Sequence, residues 1–349
     1  MSVQIYCNEM ILNEYGVEIY NNKSRIIDNT IQKSFKDGIK VIGNNKSTNS
    51  APLIWRNYIR QCGYNGILGM GVHCEPDIRG NVISQNRRAG IKLTEGAVAH
   101  IGGTNKVDIK FIPSAIKNAN TNSTFQTAKV EAVKVYLEQE NMLMEEADND
   151  LKKDELLINV KSFPNPNVIQ SNFNQGILLV EGSTASIIAN KIDGNIKANI
   201  ALGGKRSGET KIKFNYIENS KSEGVFVIEG EECLMIEDNE IAGNNDGIVM
   251  VNSQGCIIHN RIKGNNRSGI LTASKTKCVI DDNCIEDNFA AGILIKNPSL
   301  PDLRRNEIAK NFFQLQMEKH ASKKMEKYMN DNPKIIGNNE VPKNFCQIF

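Results

Sequence analysis

Asn260 to Thr272 reads NRIKGNNRSGILT, and Asn283 to Ile295 reads NCIEDNFAAGILI. Laid over each other, the two stretches share an Asn, an Ile two residues on, a second Asn three further, and then Gly-Ile. The same frame recurs as NVISQNRRAGIKL from Asn81 to Leu93 and as NVIQSNFNQGILL from Asn167 to Leu179. Weaker copies start at Asn29, Asn57, Asn190, Asn215, Asn239 and Asn306, and partial ones at Asn8 and Asn339. Leading Asn residues stand mostly 21 to 25 apart and 28 apart once, with longer gaps from 81 to 167 and from 306 to 339. Fixed offsets at a short period are the mark of a stacked structural unit, in which each copy contacts only its neighbours.

Each fixed residue has a physical reading. Ile31, Ile59, Ile83, Ile169, Ile192, Ile217, Ile241, Ile262, Ile285 and Ile308 all follow the leading Asn by two. A β-branched residue at one point per copy predicts an inward ladder on a strand. Gly38, Gly66, Gly90, Gly176, Gly224, Gly247, Gly269 and Gly292 are expected to end a turn with positive φ. The strand that follows alternates in, out, in, as in Ile91, Lys92 and Leu93. The leading Asn, and a second at Asn86, Asn172, Asn195, Asn244, Asn265, Asn288 and Asn311, are expected to stack as amide ladders. The fold predicted is all-β, a right-handed parallel β-helix of about 12 coils of 21–25 residues, with a helical insertion.

The interruptions divide the chain. Residues 1–107 read as N-terminal coils, 108–165 as a helical, acidic insertion, and 166–349 as C-terminal coils with a short basic helix near 314–331. The insertion is predicted from TFQTAKVEAVKVYLEQENMLMEEADNDLKK, where Val133, Tyr136, Leu137, Met144, Ala147 and Leu151 form a rough stripe. A charged loop is the alternative.

Composition narrows the function. Lys and Arg number 42 against 40 Asp and Glu, so no overall field points to nucleic acid or to an acidic membrane, and neither is expected as a partner. There is no apolar run of spanning length, and MSVQIYCNEM lacks the pattern of a secretion signal. Eight Cys at no framework spacing read as free thiols of a cytoplasmic protein, with a cytoskeletal or ciliary setting as the variant. Cys233, Cys256 and Cys278 read as core, and His73, His100, His259 and His320 do not cluster, so no metal and no cofactor are expected.

Arg261-Ile262-Lys263 and Asp281-Asp282 resemble the RIK and DD fragments of polygalacturonases, but their order is reversed and no G-H-G lies between them. Adjacent carboxylates on a strand point to opposite faces, so no catalytic residues are assigned. Lys263, pointing outward, is expected to matter little to stability. The Asp-Pro-His-Asp signature of alginate epimerases is absent.

NPSLPDLRRNEIAKN from Asn297 to Asn311, with GILIKN and GILLVEG, resembles the β-helix repeats of eukaryotic F-box-only proteins, a carbohydrate-binding and sugar-hydrolase-like repeat family. That resemblance implies a substrate-docking module, although no F-box helices accompany it. The reading is therefore a non-catalytic protein-interaction scaffold that is not an enzyme. A carbohydrate-active enzyme or sugar-binding β-helix is one alternative, and a cytoskeletal or ciliary rod is another. Its candidate interaction face is the outward row Leu68, Leu178, Ala201, Phe226, Val249, Leu271 and Leu294. Protein partners are expected there, and open solenoid ends invite self-association.

Overall fold

The computed structural model describes residues 3–46, 49–103, 166–204, 208–230 and 234–318. Within them the chain winds a parallel β-solenoid of three 11-stranded sheets, every third strand joining the same sheet. One coil shows the plan. Gln254–Ile258 lies in the first sheet, Arg261–Lys263 in the second and Ile270–Ala273 in the third. The described residues hold eleven coils rather than twelve; the partial copy at Asn339, like the insertion expected at 108–165, lies outside them. The short basic helix expected near 314–331 is corrected at its start: Phe313–Met317 is a strand that pairs with Ala291–Ile295, because Leu315 and Met317 alternate inward as the last core rung.

The isoleucine ladder is as read. Ile241, Ile262 and Ile285 pair in register on consecutive strands of the second sheet, and all are fully buried. A second isoleucine row, Ile236, Ile257 and Ile280, lines the first sheet and a third, Ile248, Ile270 and Ile293, lines the third sheet, so the interior is one continuous apolar column.

The asparagines make polarised ladders. Asn260 Nδ2 donates to Asn283 Oδ1 at 3.0 Å, to Ile258 O at 3.0 Å and to Ile236 O at 2.9 Å. Its Oδ1 accepts from Asn239 N at 3.0 Å and Asn239 Nδ2 at 2.9 Å. Each side chain thus bridges its own corner and the coils on both sides. The second ladder repeats the motif, with Asn265 Nδ2 donating to Asn288 Oδ1 at 2.9 Å.

The glycines act differently from the expectation. Gly269 and Gly292 lack the positive φ foreseen for them, and are required for space instead: a Cβ on Gly269 would stand 2.7 Å from Gly292 O and 2.7 Å from Ile285 Cγ2. Left-handed backbone falls instead on the residue just before the ladder Asn in almost every coil, where the strand turns the corner. Arg56, His259 and Asp282 are examples, with φ of 54°, 57° and 52°. The Asn side chain bonds across that residue to the carbonyl before it, which holds the bend for any side chain.

Candidate functional site

The outer surface of the second sheet gathers charge from three successive coils. Register places Glu240 beside Arg261, and Arg261 beside Cys284; in the next outward row Ala242, Lys263 and Glu286 are neighbours. The two cations of one strand reach in opposite directions along the axis. Lys263 Nζ lies 2.8 Å from Glu240 Oε1, and Arg261 Nη2 lies 3.1 Å from Glu286 Oε1. Burial works against the Arg261 charge, but the Glu286 carboxylate outweighs it and holds the guanidinium pKa above its usual value.

Glu240 is the unusual member. It occupies an outward position yet is 1% exposed. Neither carboxylate oxygen receives a hydrogen bond within the described residues, and the Lys263 contact is an ion pair without hydrogen-bond alignment. A dry carboxylate with unfilled lone pairs is costly and ready for a donor.

This geometry changes the energetic expectation for Lys263. In urea melts at neutral pH, Ile262→Ala is expected to cost roughly 2–5 kcal/mol, by cavity formation. Lys263→Ala is expected to cost on the order of 1–3 kcal/mol, because it strands Glu240 without its cation. Adding Glu240→Gln should recover most of that second loss. A Lys263→Ala variant as stable as wild type would break this account of the pair.

The corner between the first and second sheets carries a second set. His259 Nε2 stands 3.1 Å from Asp282 on the next coil, and its Nδ1 stands 4.0 Å from Asp238 on the previous one. Arg305 grips Asp281 at 2.6 and 2.9 Å, and those bonds hold the Asp281 carboxyl below the ordinary carboxylate range against its burial. Asp281 and Asp282 therefore do not alternate across a strand as foreseen. Asp282 takes the left-handed bend, so both carboxylates stay at the same corner with different partners.

A right-handed β-helix family model matches residues 15–207 and 198–341. The chain belongs to the right-handed β-helix family. No curated protein matches the sequence. Among solved structures, this β-helix is similar to the A-module of the mannuronan C-5 epimerase AlgE4 of Azotobacter vinelandii, with 10% identity, a TM-score of 0.44 and coverage of 86% of this chain and 72% of that one. It is also similar to the periplasmic alginate epimerase AlgG, at 12% identity and a TM-score of 0.34, covering 87% of this chain. The β-helix spans 66% of the AlgG chain.

Two expectations are corrected here. The chain was expected to be a non-catalytic protein-interaction scaffold and not an enzyme, whereas the solved structures it is similar to are named as epimerases. At such low identity the likeness itself shows the fold, so chemistry has to come from this chain's own residues. The physical reason for the miss is register. The apolar outward row lies on the third sheet, whereas the charges of the second sheet meet diagonally between coils.

That apolar row does exist in the β-helix. Leu178, Ala201, Phe226, Val249, Leu271 and Leu294 follow one another in register, while Lys92 separates Leu68 from Leu178. Ala201, Val249 and Leu271 are buried. Among the other residues singled out, His100 lies on the first sheet, where burial lowers its pKa, and His320 and Cys233 lie outside the described residues. Cys278 is core, whereas Cys256 lies in the outward row between Met235 and Val279. Among the described residues no group of His, Cys, Asp and Glu is arranged to hold a metal ion.

Proposed function

We propose that this β-helix is a carbohydrate-active protein whose glycan substrate lies along the outer face of the second sheet, over Glu240, Arg261, Lys263 and Glu286. The observation that carries the reading is Glu240, a buried carboxylate with unfilled acceptor sites in ion-pair contact with Lys263. Sugar hydroxyls are donors that such a group lacks. Arg261 and Lys263 add cations where a carboxylate or a developing oxyanion would sit, and a positioned carboxylate is a proton acceptor. Successive coils rise by about 4.8 Å, so an extended polymer can meet equivalent positions coil after coil. The similar epimerases are named for mannuronan and for alginate, but this chain lacks Asp-Pro-His-Asp, so the substrate is put at carbohydrate and not at alginate. The F-box-only likeness adds nothing to this surface.

The test is retardation of the full chain in gels cast with a polyuronate or with a neutral glucan, together with proton NMR of each polymer after incubation. Retardation and a change in the polymer are expected for wild type, and both should fall at least about tenfold in Glu240→Gln and Arg261→Gln. Wild type that neither binds nor alters any of the polymers would sink the proposal.

A further inference from the structure

The corner between the second and third sheets has a composition unlike the rest of the rod. The backbone there stacks coil on coil, as in Phe173 N to Asn86 O at 2.9 Å and Phe289 N to Asn265 O at 3.0 Å. The residue just after the second Asn ladder therefore projects from one straight edge. In five coils it is large and apolar: Phe35, Phe173, Ile196, Phe289 and Phe312 are 67%, 58%, 39%, 71% and 75% exposed. From Phe35 to Phe312 this edge runs for roughly 40 Å. Single exposed apolar residues need no explanation, but a file of them on one edge does.

The same edge is basic. Lys33, Arg87, Arg88, Lys197, Lys221 and Lys310 stand exposed along it, against the exposed acids Glu14 and Asp287. Lys33, Arg87, Lys197 and Lys221 make no ion pair among the described residues. A chain of near-zero net charge thus carries one edge of positive sign with phenyl and alkyl groups between the cations. Nucleic acid would use the cations and stack on the rings, but Ile196, and Leu12 at 60% exposure on the first coil of this corner, offer it nothing. A polyanion in water has no use for the apolar groups. A bilayer uses both, since anionic headgroups attract the bases and the interface takes up phenyl and alkyl side chains. Among the described residues no helix is long and apolar enough to cross a membrane.

We infer that this edge docks the rod lengthwise on the surface of an anionic phospholipid bilayer. The site over Glu240 lies on the neighbouring outer face of the second sheet and does not enter the inference.

The test is sedimentation of the full chain with vesicles of phosphatidylcholine alone and of phosphatidylcholine and phosphatidylserine in equal amounts. Wild type is expected to pellet with the second and stay in solution with the first. Phe289→Ser and Phe312→Ser should each lower the partition about tenfold. Lys197→Glu with Lys221→Glu should abolish it, and Lys211→Glu on the first sheet should not change it. Thermal melts establish that each variant is folded. As an independent readout, Phe289→Trp places a reporter on the edge, and its emission should shift to the blue with the anionic vesicles. No pelleting by wild type, serine variants that bind as wild type does, or no shift from the tryptophan would each overturn the inference. So would retention on heparin without vesicle binding, which would mark the edge as a polyanion site.

Discussion

Gly269→Ala is expected to destabilise the solenoid by roughly 3 kcal/mol or more, the upper range of overpacking in a core, and to broaden or abolish the cooperative transition. The added Cβ would stand 2.7 Å from Gly292 O, 2.7 Å from Ile285 Cγ2 and 2.9 Å from Asn288 Nδ2. Neither neighbour can move aside singly, because the Gly292 carbonyl is part of the strand Ala291–Ile295 and the Asn288 amide is bonded to Asn311 of the coil beyond it. Relief would require the two coils to separate, and that disrupts all three sheets at that level. Gly264→Asn supplies the contrast. Gly264 has a φ of 59° and nothing within 4 Å of its Cβ direction, and Asn219 adopts the same bend two coils earlier. This change should cost less than about 1 kcal/mol. Urea melts of the two variants read the difference directly, and similar midpoints would refute the space argument.

Asn260→Ala is expected to cost on the order of 3–6 kcal/mol, at least as much as an Ile→Ala in the same coil. The substitution removes the acceptor for Asn239 N and Nδ2, and the donor for Asn283 Oδ1, Ile236 O and Ile258 O. Asn239, Asn260 and Asn283 are all buried, so water does not replace those partners. Two or three orphaned polar groups at about 1.5–2 kcal/mol each give the stated range. Asn260→Asp should be nearly as damaging, because a carboxylate cannot donate to the two carbonyls and to Asn283. An edge member should matter less: Asn8 is exposed and bonds to Asn29 on one side, so Asn8→Ala is expected to cost under about 1 kcal/mol. Equal effects at positions 8 and 260 would show that the ladder acts as separate turns and not as a stack.

The misreading of the glycines shows how far a pattern reaches. Gly at a fixed offset announces either a special φ or a close approach, and the sequence does not distinguish them. The choice of positive φ failed because the bend sits elsewhere, on residues as varied as Arg56, Phe214 and His259. No composition signal marks those positions. The neighbouring Asn makes the bend tolerable, and its partner carbonyl is identified only once the chain is wound.

The candidate site shows the same limit. Arg261, Lys263, Asp281 and Asp282 were all noticed in the sequence, but Glu240 was not. Its importance lies in being buried and short of hydrogen bonds while in contact with Lys263 of the following coil. A diagonal contact between residues 23 positions apart leaves no trace in either local stretch. Charge behaved likewise, because a balanced total of 42 against 40 says nothing about how the signs are sorted among corners.

What the sequence alone determined is what repeats: the fold, the register of Asn, Ile and Gly, and the inward isoleucine core. Those follow because a solenoid translates each position onto its equivalent, so one copy's pattern is every copy's environment. What only the tertiary structure decided is what differs from coil to coil. The buried carboxylate of Glu240 beside Lys263, the shared corner of Asp281 and Asp282, and the basic, phenyl-studded edge arise from side chains of different coils coming within reach. Those contacts depend on side-chain length, burial and direction, which no periodicity encodes.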